Sequence, residues 1–154
     1  MIDYLFIGGA PKCGTSSLFN QLASWPGMNP SQPKETFYFI DRENPLLNSR
    51  YNIHHSNVMG FRHFFPDEPG IKLEGTTHLL YQSNQNTNIQ ELGRVKIIFI
   101  LRDPVQRLRS SFEYTENNLS RFKRKISFSD FAELLLDDRR EEVKSLILGE
   151  SSKY

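Results

Sequence analysis

Residues 4–18 limit what this chain can fold into more than any other stretch. The apolar run Tyr4-Leu5-Phe6-Ile7 leads into Gly8-Gly9-Ala10-Pro11-Lys12-Cys13-Gly14, and Thr15-Ser16-Ser17-Leu18 follows. A buried strand, a glycine-rich turn with one lysine and a hydroxyl-rich helix start make a phosphate cradle. Backbone N–H groups at a helix N-terminus face the ligand, and the helix dipole favours an anion there. Lys12 adds a compact positive charge. Gly9 and Gly14 have the spacing of a nucleotide P-loop, but in that loop the lysine follows the second glycine. Here Thr15 takes that place and Lys12 lies inside the loop. Cys13 is either a reactive thiol or a small residue that fits a tight turn.

The rest of the chain alternates strands and helices. Residues 3–8 predict a strand, and 15–24 a helix with Leu18, Phe19 and Leu22 on one face. Residues 28–34 read as loop, 35–40 as an aromatic stretch of open type, and 41–59 as irregular. A helical turn is expected over 60–65, and a strand over 71–74 with 75–78 as the loop at its carboxyl end. The nearly apolar run Val95–Leu101 reads as a central parallel strand. Asp103 then caps a helix from Pro104 to about Asn117. Ser127 or Ser129 caps another through Leu136, and a third spans 140–148. This order predicts an α/β, three-layer, P-loop-like fold with a central parallel sheet flanked by helices.

The 154 residues, 38% of them hydrophobic, suffice for one domain with a core. A net charge of +1 gives no global field that selects nucleic acid or a membrane, so any anion site is local. A single cysteine leaves no internal disulfide and fits a reducing compartment. Met1-Ile2-Asp3-Tyr4 has no basic leader character, and no run reaches the length of a membrane span. A cytoplasmic location is expected. No His/Cys cluster has metal-ligand spacing, and the chemistry below requires no metal.

A second anion site is expected at the carboxyl end of the 95–101 strand, where ligands of open parallel sheets bind. Arg102 offers planar, multiple donors there, and Ser110 adds a hydroxyl roughly two turns along the next helix. The ordinary alternative pairs Arg102 with Asp103 or Glu113 and leaves Ser110 to solvent. The basic run Arg121-Phe122-Lys123-Arg124-Lys125 is either a solvated helix end or a contact for an acidic substrate.

Together these segments resemble the sulfotransferase family, which uses 3′-phosphoadenosine 5′-phosphosulfate (PAPS). Pro11-Lys12-Cys13-Gly14-Thr15-Ser16-Ser17-Leu18 is similar to its 5′-phosphosulfate loop, P-K-x-G-T-[ST]-x-L. Arg102-Asp103-Pro104-Val105-Gln106-Arg107-Leu108-Arg109-Ser110 is similar to its 3′-phosphate segment, R-[DN]-P-x-x-R-x-x-S. Lys34-Glu35-Thr36-Phe37-Tyr38-Phe39 resembles the K-E-x-x-[FY]-F element of the heparan-sulfate and related carbohydrate branch, whose glutamate is the catalytic base. The branch acting on phenols and steroids uses a histidine in a K-T-H element, and Thr76-Thr77-His78 stands at a comparable place without the lysine. Glu35 is therefore the preferred base, and His78 the alternative or an acceptor contact. Glu74-Gly75-Thr76-Thr77 departs from the E-K-T-P element of the heparan-sulfate branch, with Gly75 in place of its lysine.

The resemblance implies sulfuryl transfer from PAPS to an acceptor hydroxyl or amine, with a carbohydrate as the expected acceptor and adenosine 3′,5′-bisphosphate as product. Pro11, Lys12, Cys13, Gly14, Thr15, Ser16 and Ser17 would bind the 5′ end, and Arg102 and Ser110 the 3′-phosphate. Lys12, Glu35 and His78 are the candidate catalytic groups. The family's domain usually runs to about 250 residues or more. Residues 1–154 are thus expected to be the N-terminal portion of one sulfotransferase-like domain, with 149–154 resembling the segment before a further helix and strand. The alternatives are a P-loop nucleotide kinase-like phosphotransferase and a nucleotide-binding fragment without turnover.

Overall fold

Strand β1 (Tyr4–Gly9) sends Tyr4 and Phe6 to one face of a sheet and Leu5 and Ile7 to the other, as the two-residue period of a strand requires. The computed structural model describes residues 3–47, 50–82 and 85–147, and the chain forms two compact units, 1–101 and 102–153. In the first, β2 (Met28–Pro30), β3 (Ile71–Glu74), β1 and β4 (Val95–Phe99) lie in that order, with every pair parallel. Helix α1 (Thr15–Ala23) covers one face and packs Phe19 and Leu22 against Ile7 and Leu73. The opposite face carries an aromatic core of Tyr4, Phe6, Tyr38, Phe39, Phe61, Phe64 and Phe65. Phe61 stacks on Phe6 at 5.6 Å and meets Phe39 edge-on at 4.7 Å, the offset geometries that aromatic pairs favour. Short 3₁₀ helices at Val58–Phe64 and Leu79–Tyr81, with α2 (Gln85–Gln90), complete that layer. The α/β architecture with a central parallel sheet flanked by helices is the one expected.

Two local expectations need correction. Residues 28–30 form a strand rather than loop. They pair with β3 at the sheet's edge, where the missing N–H of Pro30 costs no ladder bond on the open side. The apolar 95–101 run is an edge strand among the described residues, and β1 holds the position with neighbours on both sides. Ile97, Phe99 and Leu101 are accordingly exposed, while Ile100 packs with the α1 layer. Apolar content reports a strand's capacity for burial, not its place in the sheet order. Helix α2 falls in a stretch for which the sequence carried no expectation, and its Ile89 is buried in the core.

The second unit is helical. Helix α3 (Pro104–Glu113) starts with proline, and the Asp103 carboxylate accepts from the Gln106 N–H at 2.9 Å. A π-helical turn, Tyr114–Asn118, carries the chain to the expected end of that helix. Helix α4 (Phe128–Leu136) is capped by Ser127, whose hydroxyl accepts from the Asp130 N–H. Helix α5 (Arg140–Leu146) stops before Leu148, because Ile147 turns extended and bridges Phe122. Leu148 itself and the 149–154 segment lie outside the described residues. Phe112, Ile126, Phe131, Leu134, Val143 and Leu146 form this unit's own core. The basic run is a loop rather than a helix end: Phe122 packs against that core and Lys123, Arg124 and Lys125 are exposed.

Candidate active site

The glycine-rich turn leaves β1 at the carboxyl edge of the sheet. Pairing between β1 and the chain after β4 continues to its mouth, where Ile100 N–H donates to Gly9 O at 2.7 Å and Ala10 N–H to Ile100 O at 2.9 Å. Gly14, at φ 86° and ψ 13°, makes the left-handed turn into α1. A Cβ at this position would meet nothing within 4 Å, so the backbone angle alone selects glycine. No side chain caps the first turn of α1 and no acid lies in it, so its N-terminus suits an anion. Lys12 is also left-handed, at φ 65°, and burial holds its ammonium below the ordinary lysine value. Cys13 is buried with its thiol directed to Pro11 O, Thr15 is buried, and Ser16 and Ser17 are exposed.

Parallel pairing of β3 with β1 places residues 75–78 at the same edge as this turn. The two loops touch: a Cβ on Gly9 would come within 2.6 Å of Thr77 O. Glu35 enters the edge from the segment that follows β2. Its Oε1 pairs with Lys34 Nζ at 2.9 Å, and its Oε2 accepts from the Thr77 hydroxyl at 3.3 Å. On the carboxyl side of Glu35, Tyr38 and Phe39 are sunk in the aromatic core and anchor the segment. Lys34 is fixed by its neighbours. Its carbonyl accepts from Gly75 N–H and the Ser31 hydroxyl, each at 3.0 Å. A Cβ at Gly75 would lie 3.0 Å from Lys34 Cγ and Cε and from Phe19 Cδ2. The stem of Lys34 thus takes up the room beside Gly75.

His78 lies near Glu35, with the rings of Phe37 and Tyr81 at 6.2 and 6.3 Å. Burial pulls its pKa below the ordinary value, and the Glu35 carboxylate partly offsets that. The structure therefore brings the phosphate loop, Glu35 and His78 to one sheet edge. Arg102 and Ser110 belong to the second unit. Arg102 is exposed and its Nε donates to Gln106 Oε1 at 3.3 Å; Arg109, not Arg102, pairs with Glu113. Ser110 is half-buried, one residue before the exposed Ser111.

Glu74 stands at the glutamate of the E-K-T-P comparison, but no role was assigned to it there. It is 1% exposed, and its carboxylate collects hydrogen bonds from Thr36 and Thr76. The alternation Ile71-Lys72-Leu73-Glu74 treats it like the half-buried Lys72. The two threonines at 76 and 77, with the glutamate of the E-K-T-P comparison, were the available signals of a polar cluster. A hollow of about 580 Å³ lies at the opposite, amino edge, beside Asp3, Gly70 and Lys72, away from these groups. Among the described residues, no cluster of three or more His, Cys, Asp or Glu is placed to hold a metal, and no helix is long and apolar enough to cross a membrane.

No family model and no curated protein matches the chain. Among solved structures, it superposes on the crystal structure of a sulfotransferase from Alicyclobacillus acidocaldarius with a TM-score of 0.66 and 21% identity. The fold is a sulfotransferase fold. The match covers 92% of this chain and 60% of that one, so the chain spans three-fifths of that protein's length.

Proposed function

We propose that this chain carries the site of a PAPS-dependent sulfotransferase acting on an acceptor hydroxyl or amine, with a carbohydrate as acceptor. The observation that supports this most is the left-handed Gly14 turn opening an uncapped α1 beside Lys12, with Glu35 at the same sheet edge. The sulfotransferase fold of the solved neighbour is consistent with it. The N–H groups from Gly14 to Ser16 and the exposed Ser16 hydroxyl suit a 5′-phosphate. Lys12 neutralises the charge that builds on the bridging oxygen as its bond to sulfur breaks. Glu35 takes the proton from the acceptor oxygen or nitrogen as that atom bonds to sulfur, and His78 is the alternative base. Arg102 and Ser110 hold the 3′-phosphate. The transition state is loose and in-line, as in phosphoryl transfer.

Calorimetric titration with adenosine 3′,5′-bisphosphate and with magnesium ATP tests the donor. Binding of the bisphosphate alone is expected; tighter binding of ATP would favour a kinase-like phosphotransferase. Turnover is tested with labelled PAPS and a neutral glycan, an acidic glycan and a simple phenol. Lys12→Ala should lower turnover by about 10²–10³ if it acts on the leaving oxygen. Arg102→Ala should weaken bisphosphate binding. Glu35→Gln abolishing transfer while His78→Asn preserves it would assign the base.

A further inference from the structure

We propose that Glu74 is a positioning residue for the Glu35 base: its carboxylate ties the backbone after Glu35 to the turn at Thr76 and so fixes where Glu35 projects. The proposal rests on the sulfuryl-transfer reading of the site. Glu74 Oε1 accepts from Thr36 N–H and the Thr36 hydroxyl, each at 3.0 Å, and from the Thr76 hydroxyl. Its Oε2 accepts from Thr76 N–H at 2.8 Å. Both hydroxyls are themselves acceptors, of Tyr38 N–H at 3.3 Å and of Phe37 N–H at 3.1 Å, so their protons are directed to Glu74. The three N–H groups that follow Glu35 therefore all end on this carboxylate: that of Thr36 directly, that of Phe37 through the Thr76 hydroxyl and that of Tyr38 through the Thr36 hydroxyl.

The same carboxylate sets the other support of the base. Thr76 precedes Thr77, whose hydroxyl holds Glu35 Oε2. Phe37 is kept at φ 51°, a left-handed angle costly for a bulky side chain, between two of the tethered amides. Among the described residues no cationic side chain pairs with Glu74. A buried carboxylate without a cation is expensive unless its lone pairs are filled, and here four donors fill them. Burial pushes its pKa up while these bonds pull it down. A neutral side chain of similar shape would avoid the cost of burying a charge but could not accept four bonds. The arrangement favours placement of the 34–37 segment over stability.

Glu74→Gln tests the tether. Whichever way its amide turns, the NH₂ meets a donor, either Thr76 N–H or the group around Oε1. Turnover of PAPS with the preferred acceptor should fall about 10²-fold, the scale of a small misplacement of a catalytic group, with unchanged affinity for adenosine 3′,5′-bisphosphate. Thr76→Val should act in the same direction, and Thr76→Ser, which restores the hydroxyl, should retain turnover. Hydrogen exchange at Thr36 and Phe37 should accelerate in Glu74→Gln, and that readout needs no turnover. Wild-type turnover in Glu74→Gln, or a loss of turnover matched by loss of bisphosphate affinity, would overturn the proposal. Were the wild-type chain to transfer no sulfuryl group, the sulfuryl-transfer reading would fall. Unchanged exchange at Thr36 and Phe37 would separately overturn the tether.

Discussion

Gly14 and His78 show how single residues carry separate physical terms. At Gly14 the surroundings are open and the left-handed angle is the whole constraint. Gly14→Ala should therefore cost about 1–2 kcal/mol, the price of that conformation for an L-residue, read from the urea midpoint. At Gly75 the constraint is room: an added methyl presses on Lys34 and Phe19 rather than on its own backbone. His78 carries a charge term. With its pKa pulled below 6.5, it is neutral in both folded and unfolded states above that value. As pH falls from 6.5 toward the lowered folded value, the unfolded chain takes up the proton first, and stability drops. Urea midpoints at pH 7 and pH 5 should fall further apart in the wild type than in His78→Asn. Equal slopes would refute the depressed pKa.

Elements differ in what makes them form. Helix α4 has an N-cap, an acid in its first turn and an apolar stripe, and each is visible in the chain. Ser127→Ala should destabilise the protein by about 1 kcal/mol, measured by thermal unfolding, without altering bisphosphate binding. Strand β2 and helix α2 have no such signals. Met28–Pro30 is a strand because β3 offers it a partner, and Gln85–Gln90 is a helix whose Ile89 is buried. Strand β4 is the reverse case, in which strong local apolarity meets an edge position. Its composition identified the strand but not its place at an edge of the described sheet, because strand order depends on pairings between distant segments.

At the scale of the whole molecule, the parallel sheet is the device that gathers separated motifs. Because β1 and β3 run the same way side by side, the turn after residue 9 and the turn after residue 74 emerge together. A ligand bound only by the folded chain stabilises it by mass action. Adenosine 3′,5′-bisphosphate at a hundred times its dissociation constant should add about 2.7 kcal/mol, seen as a rise in melting temperature. Arg102→Ala should shrink that rise at the same ligand concentration. An equal rise in the variant would remove Arg102 from the donor site.

Residues adjacent in the chain settled the glycine turn into α1, the Asp103 and Ser127 caps and the alternation of strand and helix, since each depends on backbone angles and bonds within a few positions. Folding alone decided that Lys34 takes up the room over Gly75, that β4 lies at an edge among the described residues, and that Glu74 is buried against Thr36 and Thr76. The bond from Thr36 to Glu74 spans 38 positions. No local pattern encodes a hydrogen bond of that reach, because only the packing of β3 against the segment that follows β2 brings its two ends within contact distance.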